Sequence, residues 1–421
     1  MGCSKNLVDS ENIVTQLQAN QIAASHAESD QNADVVIVNT CGFIEAAKQE
    51  SIDTILHFAD QKTAGNISKL YVTGCLSHRY KDQLVEEIPE VDAFFGTLDL
   101  PALLRRFNVD YRHELIGERT TMTPQHYAYM KISEGCNRTC AFCAIPLMRG
   151  DHRSRSIEEL VREARILVSK GVKEILLIAQ ELTYYGLDIY KKRALPELLN
   201  RLADVEGLDW IRLHYAYPSK FPRAVFEVMA NRRNICNYID MPLQHGDNAV
   251  LERMRRQITI EETRDLIQYA RQIVPDIAVR TTMLVGFPGE TEQEFANLCS
   301  FVSEMKFERL GVFEYSHEDG TSAYQMKDDV TDKEKSKRAG RLMEIQREIS
   351  LEHNERKIGS TMKVLVDRKE GSFYYGRTEY DSPEVDNEVI MDATKKYLRI
   401  GDFVQVVVDD VTEYDLYATV I

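Results

Sequence analysis

The sequence predicts an α/β protein of several domains: an N-terminal open parallel α/β sheet, a central partial (β/α)6 barrel of the TIM type, and a small C-terminal β-barrel. The chain has 421 residues, 43% of them hydrophobic, which is too long for one ordinary domain and sufficient for several buried cores. Apolar runs alternate with amphipathic helical stretches through most of the chain, and the pattern then changes to short runs of period two. We expect domains at residues 1–118, 122–352 and 355–421.

The N-terminal segment has the pattern of βα units in which each strand ends at a cysteine. Apolar runs at residues 34–39 and 69–73 predict buried strands that end near Cys41 and Cys75, and Cys3 stands just before a predicted helix. Groups beyond the carboxyl ends of parallel strands converge on one crevice, so these thiols could meet and hold a metal cluster. A single cysteine is more often a small buried apolar residue, but recurrence at equivalent positions favours the cluster.

The central segment contains six apolar runs that alternate with helical ones. Six repeats rather than eight predict an incomplete barrel, open on one side to admit a macromolecule. Functional groups of such barrels gather where strands end, and polar residues stand there, among them Gln180, Glu181, Gln244 and His245. The predicted strands are residues 127–132, 174–179, 210–214, 238–241, 278–285 and 310–315.

The most specific motif is Cys-Asn-Arg-Thr-Cys-Ala-Phe-Cys at residues 136–143. Three thiolates can hold a [4Fe-4S] cluster and leave its fourth iron open to a non-protein ligand, which implies chemistry beyond simple electron transfer. The alternative is a zinc ion with His152 as fourth ligand. Structural zinc sites usually pair two short Cys/His hairpins, whereas one compact loop holds all three thiols here, so the cluster is favoured.

The C-terminal part of the chain predicts one helix and a small barrel. A charged helical stretch at residues 332–357 precedes five runs of period two, which predict a β-barrel of the OB type. Cys236 and Cys299 lie in apolar periodic runs and are expected to be buried without a function, while His214 and His245 are expected to be hydrogen-bonded structural residues. The predicted strands are residues 361–367, 373–378, 388–391, 403–408 and 414–420.

Composition and charge limit the class of protein. The N-terminus shows no charged leader with an apolar core, and no apolar run approaches the roughly 20 residues that span a bilayer. We therefore expect a soluble cytoplasmic protein with no membrane partner, whose clustered thiols bind metal rather than form disulfides. The 52 basic and 67 acidic side chains give a formal charge of −15, which disfavours nucleic acid and favours a basic partner.

With Phe142 before its third cysteine, the 136–143 motif resembles that of the radical S-adenosylmethionine (SAM) superfamily. The resemblance implies that the amino and carboxylate groups of SAM chelate the open iron and that an electron from the cluster splits the sulfonium. Residues 286–291, Gly-Phe-Pro-Gly-Glu-Thr, are not a phosphate-binding loop and resemble the turn that lines the SAM pocket. The implied cofactor contacts are Phe142, Gln180, Glu181, Gln244, Gly286, Gly289 and Glu290.

The whole chain resembles the methylthiotransferase family. The segments around its first three cysteines are similar to the family's three cluster motifs, and residues 358–421 to its closing TRAM domain. Family members carry an apolar strand before the first motif, and that strand is either missing here or the start is misassigned. The resemblance implies two [4Fe-4S] clusters and an external electron donor: one cluster cleaves SAM to a 5′-deoxyadenosyl radical, and an auxiliary one carries the sulfur to be transferred. The implied ligands are Cys136, Cys140 and Cys143 for the first cluster and Cys3, Cys41 and Cys75 for the second.

The family has two kinds of substrate: an adenosine in tRNA, or the β-carbon of an aspartate in small-subunit ribosomal protein twelve. Residues 180–186, 214–218, 240–245 and 313–321 resemble the ribosomal-protein branch. Residues 358–421 carry seven basic and thirteen acidic side chains, which suits a basic protein better than RNA. We therefore expect an aspartate methylthiotransferase that does not act on tRNA. A tRNA methylthiotransferase is the alternative, and a non-catalytic iron–sulfur or zinc module is the remote one.

Overall fold

The computed structural model describes residues 2–26 and 33–421. It contains a three-stranded parallel sheet, a six-stranded parallel sheet and a closed five-stranded barrel, in that order along the chain. These are the three architectures that the sequence predicts. Within the two described ranges, none of the helices combines the length and apolar character needed to cross a bilayer.

The N-terminal unit is a small α/β layer. Its elements are α1 (Ser4–Ala19), β1 (Val35–Thr40), α2 (Glu45–Thr63), β2 (Lys69–Gly74), α3 (Cys75–Arg79), α4 (Lys81–Glu87), β3 (Ala93–Phe94) and α5 (Leu100–Arg105). The strand order is β1-β2-β3 with parallel pairings, and Ile55, Leu70 and Val72 are buried at its centre. Strands β1 and β2 lie where the sequence predicts them, whereas β3 is too short to give a periodic signal.

The central unit is an open parallel barrel. Its strands are β4 (Tyr127–Lys131), β5 (Ser133–Glu134), β6 (Arg153–Ser154), β7 (Glu174–Ile178), β8 (Trp210–Leu213), β9 (Ile235–Asp240), β10 (Ala278–Val285) and β11 (Arg309–Glu314). Its helices are α6 (Ile145–Arg149), α7 (Ile157–Ser169), α8 (Leu195–Ala203), α9 (Ala224–Asn231), α10 (Asn248–Arg253), α11 (Ile260–Ile273) and α12 (Glu292–Met305). The order β11-β10-β9-β8-β7-β4 leaves the sheet unclosed, as predicted. Ser156, Thr259 and Thr291 form capping boxes with the Glu three residues later, which fixes where α7, α11 and α12 begin.

The C-terminal unit is a closed β-barrel that follows one long helix. Its elements are α13 (Asp332–Glu355), β12 (Thr361–Glu370), β13 (Phe373–Arg377), β14 (Glu388–Asp392), β15 (Phe403–Val411) and β16 (Asp415–Val420). The barrel closes in the order β12-β13-β14-β16-β15, around a core that includes Val364, Val406 and Leu416. All five predicted strands are confirmed.

The interior of the open barrel is filled from both of its ends. Because side chains alternate along a strand, one set of positions packs on the helices and the other faces inward. Inward-facing Tyr129 and Ile178 pack against Leu7 and Val8 of α1, which enters at the mouth where the strands end. We name residues 377–387 of the C-terminal barrel the floor segment. At the opposite end, this segment lies against the inward-facing charged side chains of Glu174, Arg212 and Arg309.

Ion pairs attach the floor segment to the central barrel. Arg377 donates to Glu174 at 2.8 Å and to Asp367 at 2.7 Å, and Arg309 binds Asp381 at 2.5 Å. All these side chains are buried or nearly so. Buried charges of this kind are tolerated only when paired and hydrogen-bonded, so the C-terminal barrel completes the interior of the central one.

Candidate active site

The three cysteines of the N-terminal unit meet at the mouth of the central barrel. We name Cys3, Cys41 and Cys75 the N-terminal thiols. Their proximity appears in their electrostatics, because the charge of Cys3 raises the pKa of both Cys41 and Cys75 beyond the increase that burial causes. Burial raises the pKa of Cys75 to about 11.

Glycines beside these cysteines let the three backbone segments approach closely. Gly74 has φ 101°, and a Cβ there would lie 2.4 Å from the carbonyl oxygen of Thr40. A Cβ on Gly42 would lie 2.8 Å from the backbone of Leu76. The recurring Gly-Cys pairs of the sequence therefore serve to bring the strand ends together.

One arginine organises the surroundings of the N-terminal thiols. Arg149, at the end of α6, donates to the Oδ1 atom of Asn6 and pairs with Asp9 at 2.6 Å. The Sγ atom of Cys75 lies 3.7 Å from the same Oδ1 of Asn6. Burial opposes ionisation of Cys3, but the positive charges of Lys5 and Arg149 and nearby backbone N–H groups outweigh it, so the pKa of Cys3 is lowered.

The second set of cysteines lies on one loop. We name Cys136, Cys140 and Cys143 the loop thiols. The antiparallel pair β5–β6 closes the base of the loop, and the backbone N–H of Cys136 donates to the Gly150 carbonyl at 3.0 Å. Burial, together with the charge of Cys140, raises the pKa of Cys136 to about 11 and that of Cys143 to about 12.

A stack of aromatic rings and guanidinium groups borders the loop thiols. The guanidinium of Arg138 lies 4.1 Å from the ring centroid of Tyr184 and 3.8 Å from that of Tyr217, whose other neighbour is Arg256 at 4.0 Å. Arg256 Nη1 lies 3.4 Å from the Sγ atom of Cys140, and the Tyr217 hydroxyl lies 3.6 Å from it. Two cations therefore stand beside thiols that carry negative charge when they bind metal.

The predicted SAM contacts stand on different elements around the mouth. Phe142 packs in a cluster with Phe287 and Tyr315, and Gln244 has φ 79° and pairs its backbone with β10. Gln180 donates to Glu134. The positions of these side chains do not test the cofactor contact, which stays a prediction.

Two predicted contacts are ion-paired within the protein. Glu181 binds Arg138 at 3.0 Å, and Glu290 binds Arg338 at 2.9 Å and accepts from the Gly286 N–H at 2.6 Å. The Gly289 N–H donates to Asp329 at 2.8 Å. These contacts fix the shape of the 286–291 turn, and cofactor contact by Glu181 and Glu290 also stays a prediction.

The histidines and the two remaining cysteines have structural surroundings. His214 Nε2 lies 2.9 Å from the Ser382 hydroxyl, and Asp247 N–H donates to His245 Nδ1 at 3.1 Å, as expected of structural residues. Cys236 is buried as predicted, whereas Cys299 is only partly buried. Its partial exposure follows from its place on α12 beside the solvent-facing side of that helix.

The donor set fits iron–sulfur clusters better than a zinc ion. The zinc alternative requires His152 as a fourth ligand beside the loop thiols. His152 Nε2 instead lies 3.0 Å from the Ser154 hydroxyl. Each cysteine set supplies three sulfur donors beside cations, which suits a bulky anionic cluster with one iron left open.

The sequence predicts Tyr217 as a polar residue at a strand end, but it does not indicate the roles of Arg138, Arg149 and Arg256. Their contacts at the site join residues far apart in sequence: 43 positions for Arg138 with Glu181, and 116 for Arg256 with Cys140. The one available signal was the position of Arg138 inside the cysteine motif.

Three family models match the chain. They are the Radical SAM superfamily over residues 130–302, an uncharacterized protein family (UPF0004) over residues 1–96, and the TRAM domain over residues 358–421. Among solved structures, the radical SAM methyltransferase TsrM from Kitasatospora setae aligns with a TM-score of 0.54 at 15% identity, covering 74% of this chain and 70% of that one. At this identity the similarity supports the fold alone.

Curated relatives match over the full chain. A protein of Cytophaga hutchinsonii is 59% identical over all of this chain and 96% of its own length, and one of Bacteroides thetaiotaomicron is 50% identical over 100% and 97%. A protein of Christiangramia forsetii is 55% identical over 99% and 92%. All three carry the name ribosomal protein uS12 methylthiotransferase RimO. With its full-length identity to these proteins and its two sets of three thiols at one barrel mouth, this chain belongs to the RimO family of radical SAM methylthiotransferases.

Proposed function

We propose that this enzyme adds a methylthio group to the β-carbon of an aspartate in ribosomal protein uS12. The observation that carries the proposal is the approach of the N-terminal thiols to one another and to the end of the loop that holds the other three, where Cys75 packs with Ala144, in a chain whose relatives are named for this substrate. The unactivated β-carbon has no appreciably acidic proton, so radical chemistry is the suitable route.

As a radical SAM enzyme, the protein uses SAM and an iron–sulfur cluster. We propose two [4Fe-4S] clusters, one on the loop thiols and an auxiliary one on the N-terminal thiols. When bound, the first supplies the electron that splits SAM and the second the sulfur. The electron comes from an external donor. We propose SAM contacts at the seven residues predicted above, beside the loop thiols.

The residues of the chain itself would bind and orient these groups. Arg149 holds Asn6 and Asp9 beside the N-terminal thiols and supplies positive charge there. Arg256 and the Tyr217 hydroxyl lie against Cys140. Cations next to thiolate ligands stabilise a negatively charged cluster and fix the orientation of its ligands.

The acidic charge of the C-terminal barrel favours a basic protein as substrate, but this support is weaker than the sequence indicates. Several of its thirteen acidic side chains pair with central-barrel cations, including Asp381 with Arg309 and Asp402 with Lys173. The acidic groups left exposed to a partner, such as Asp409 and Asp410, are fewer than the composition suggests. We therefore propose that the barrel assists capture of basic uS12 through long-range attraction.

The direct test is the mass of uS12 from cells with and without the gene. We expect a methylthio group on one aspartate, lost in the deletion strain and restored by the purified enzyme with SAM and a reductant. An unchanged uS12 mass, with a methylthio adenosine missing from tRNA, would instead identify a tRNA enzyme. Modification of a ribosomal protein would place the enzyme in the cytoplasm.

The two-cluster assignment has its own test. Replacing Cys3, Cys41 and Cys75 by Ala should leave one cluster per chain and keep 5′-deoxyadenosine release, while abolishing methylthiolation. Replacing the loop thiols should abolish both products. Iron and sulfide are counted per chain in each case. Two clusters remaining after the first replacement would contradict the assignment.

A further inference from the structure

Lys5 is a buried lysine at the barrel mouth. It lies in the first turn of α1, two residues after Cys3, and only 8% of the residue is exposed. Its ammonium group stands 3.0 Å from the ring centroid of Tyr215. This cation–π contact holds the ammonium in a fixed place.

No carboxylate partners this ammonium within residues 2–26 and 33–421. The side-chain hydrogen bonds and ion pairs of those residues include none from Lys5 Nζ, whereas neighbouring Arg149 and Lys131 both bind Asp9. A lysine of which only 8% is exposed keeps little of its hydration, so an anion that reaches its ammonium group is favoured. The arrangement suits a site that receives a negative group from outside the chain.

The position of Lys5 relates it to both thiol sets. On one side it follows Cys3 by two residues, in the first turn of α1, whose N-cap is Cys3. On the other, Tyr215 is two residues from Tyr217, whose hydroxyl lies 3.6 Å from Cys140 Sγ. Tyr215 itself has φ 62°, a left-handed conformation that is unusual for an aromatic residue and common at functional sites.

We propose that Lys5 binds the γ-carboxylate of the substrate aspartate and thereby positions its β-carbon between the two thiol sets. The inference rests on the proposed function and deepens it. The β-carbon is one bond from the γ-carboxyl carbon, so a cation fixed at Tyr215 restricts where the reacting carbon can lie. The same contact would discriminate aspartate from asparagine, because a neutral amide leaves the buried ammonium uncompensated.

The other anion that could face Lys5 is a sulfur species on the auxiliary cluster. The two possibilities differ in their dependence on the substrate. An ammonium that binds the substrate carboxylate matters for aspartate and not for asparagine. An ammonium that serves the sulfur matters equally for both.

The experiment compares Lys5→Met, Lys5→Arg and the control Lys48→Met on reconstituted enzyme. Lys48 is also mostly buried near the mouth, but it pairs with Glu318 at 3.1 Å. The substrates are uS12 and its variant with asparagine in place of the modified aspartate. The readouts are the dissociation constant of each substrate, its kcat/KM, and the iron content per chain.

The wild-type enzyme and Lys48→Met should prefer the aspartate substrate by about 10- to 100-fold, as expected for a charged hydrogen bond. Lys5→Met should remove most of this preference by weakening only the aspartate substrate, and Lys5→Arg should keep part of it. An unchanged preference in Lys5→Met, equal losses on both substrates, or loss of the auxiliary cluster would each overturn the inference. Failure of the wild-type enzyme to modify uS12 would instead overturn the proposed function.

Discussion

Both ends of the central barrel carry buried cations, but these cations face different groups. At the mouth, Arg149 and Arg256 stand beside thiols. At the floor, Arg309 and Arg377 are paired with carboxylates of the C-terminal barrel. A cation whose neighbours are all carboxylates and carbonyls of the protein contributes to the fold alone, whereas Arg149 and Arg256 also lie beside thiols and can act on an anionic cofactor, although Arg149 pairs with Asp9 as well. Substitutions at the two ends should therefore separate stability from cofactor binding.

The largest expected effect is that of removing the C-terminal barrel, which carries the floor segment. Deleting residues 358–421 should prevent the central barrel from folding, because it leaves buried Arg212, Arg309 and Glu174 without partners from the floor segment. Breaking one buried pair typically costs about 3–5 kcal/mol, and several would be broken together. Soluble yield, thermal unfolding and iron content measure the outcome. A soluble truncated chain that still binds a cluster and releases 5′-deoxyadenosine would show that the floor is dispensable.

The second prediction compares one arginine at each end. Arg377→Met should cost about 3–5 kcal/mol of unfolding free energy, since it removes a fully buried guanidinium and leaves Glu174 with Arg212 alone and Asp367 with His126 alone. Arg79→Met, at the mouth, should cost less, about 1–2 kcal/mol, since its partner Glu318 keeps Lys48 at 3.1 Å and its other partner, Asp319, is half exposed to solvent. Thermal midpoints of the two cluster-free variants give the comparison. Equal shifts would mean that the floor is no more stabilising than the interface with the N-terminal unit.

The sequence predicts regular structure well because the signal is periodic. The six long strands of the central barrel and all five of the C-terminal barrel lie where apolar runs predict them. The grouping of Cys3, Cys41 and Cys75 is predicted by their recurrence at strand ends. These features depend on local pattern and on the general geometry of parallel sheets.

The floor segment could not be predicted, because it is irregular and its charged residues look like solvated loop residues. The side chains of Asp381 and Asp386 are buried, although nothing near them in sequence indicates burial. Their partners Arg309 and Arg280 lie on strands of another domain. The composition of residues 358–421 therefore suggests an acidic surface, whereas part of that acidic surplus lies inside the protein.

The third prediction concerns the mouth alone. Arg149→Met should lower cluster occupancy at the N-terminal thiols several-fold and leave the loop thiols loaded, while Arg256→Met should do the reverse. Each variant is made in two chains, one with the loop thiols and one with the N-terminal thiols replaced by Ala, so that iron per chain reports one site at a time. Arg256→Met should keep a near-wild-type thermal midpoint, whereas Arg149→Met should also lose some stability, because Asp9 and Glu134 then keep only Lys131 as an ion-pair partner. Loss of iron from the loop thiols in Arg149→Met would contradict this separation.

The smallest expected effect lies on the outer surface of the C-terminal barrel, away from the floor. Asp409 and Asp410 are exposed, and Asp409→Lys with Asp410→Lys should slow association with basic uS12 by a few-fold at low salt, without changing the thermal midpoint. At high salt the difference should vanish, because screening removes long-range attraction between exposed charges.

The control is the pair Glu206→Lys with Glu252→Lys. These residues are also exposed but lie on the central barrel, and their replacement gives the same change in net charge. The measurement is the rate of association with uS12 across a salt series. Equal slowing by both pairs would mean that uS12 responds to net charge alone. No slowing by either pair would show that the C-terminal barrel does not assist substrate capture.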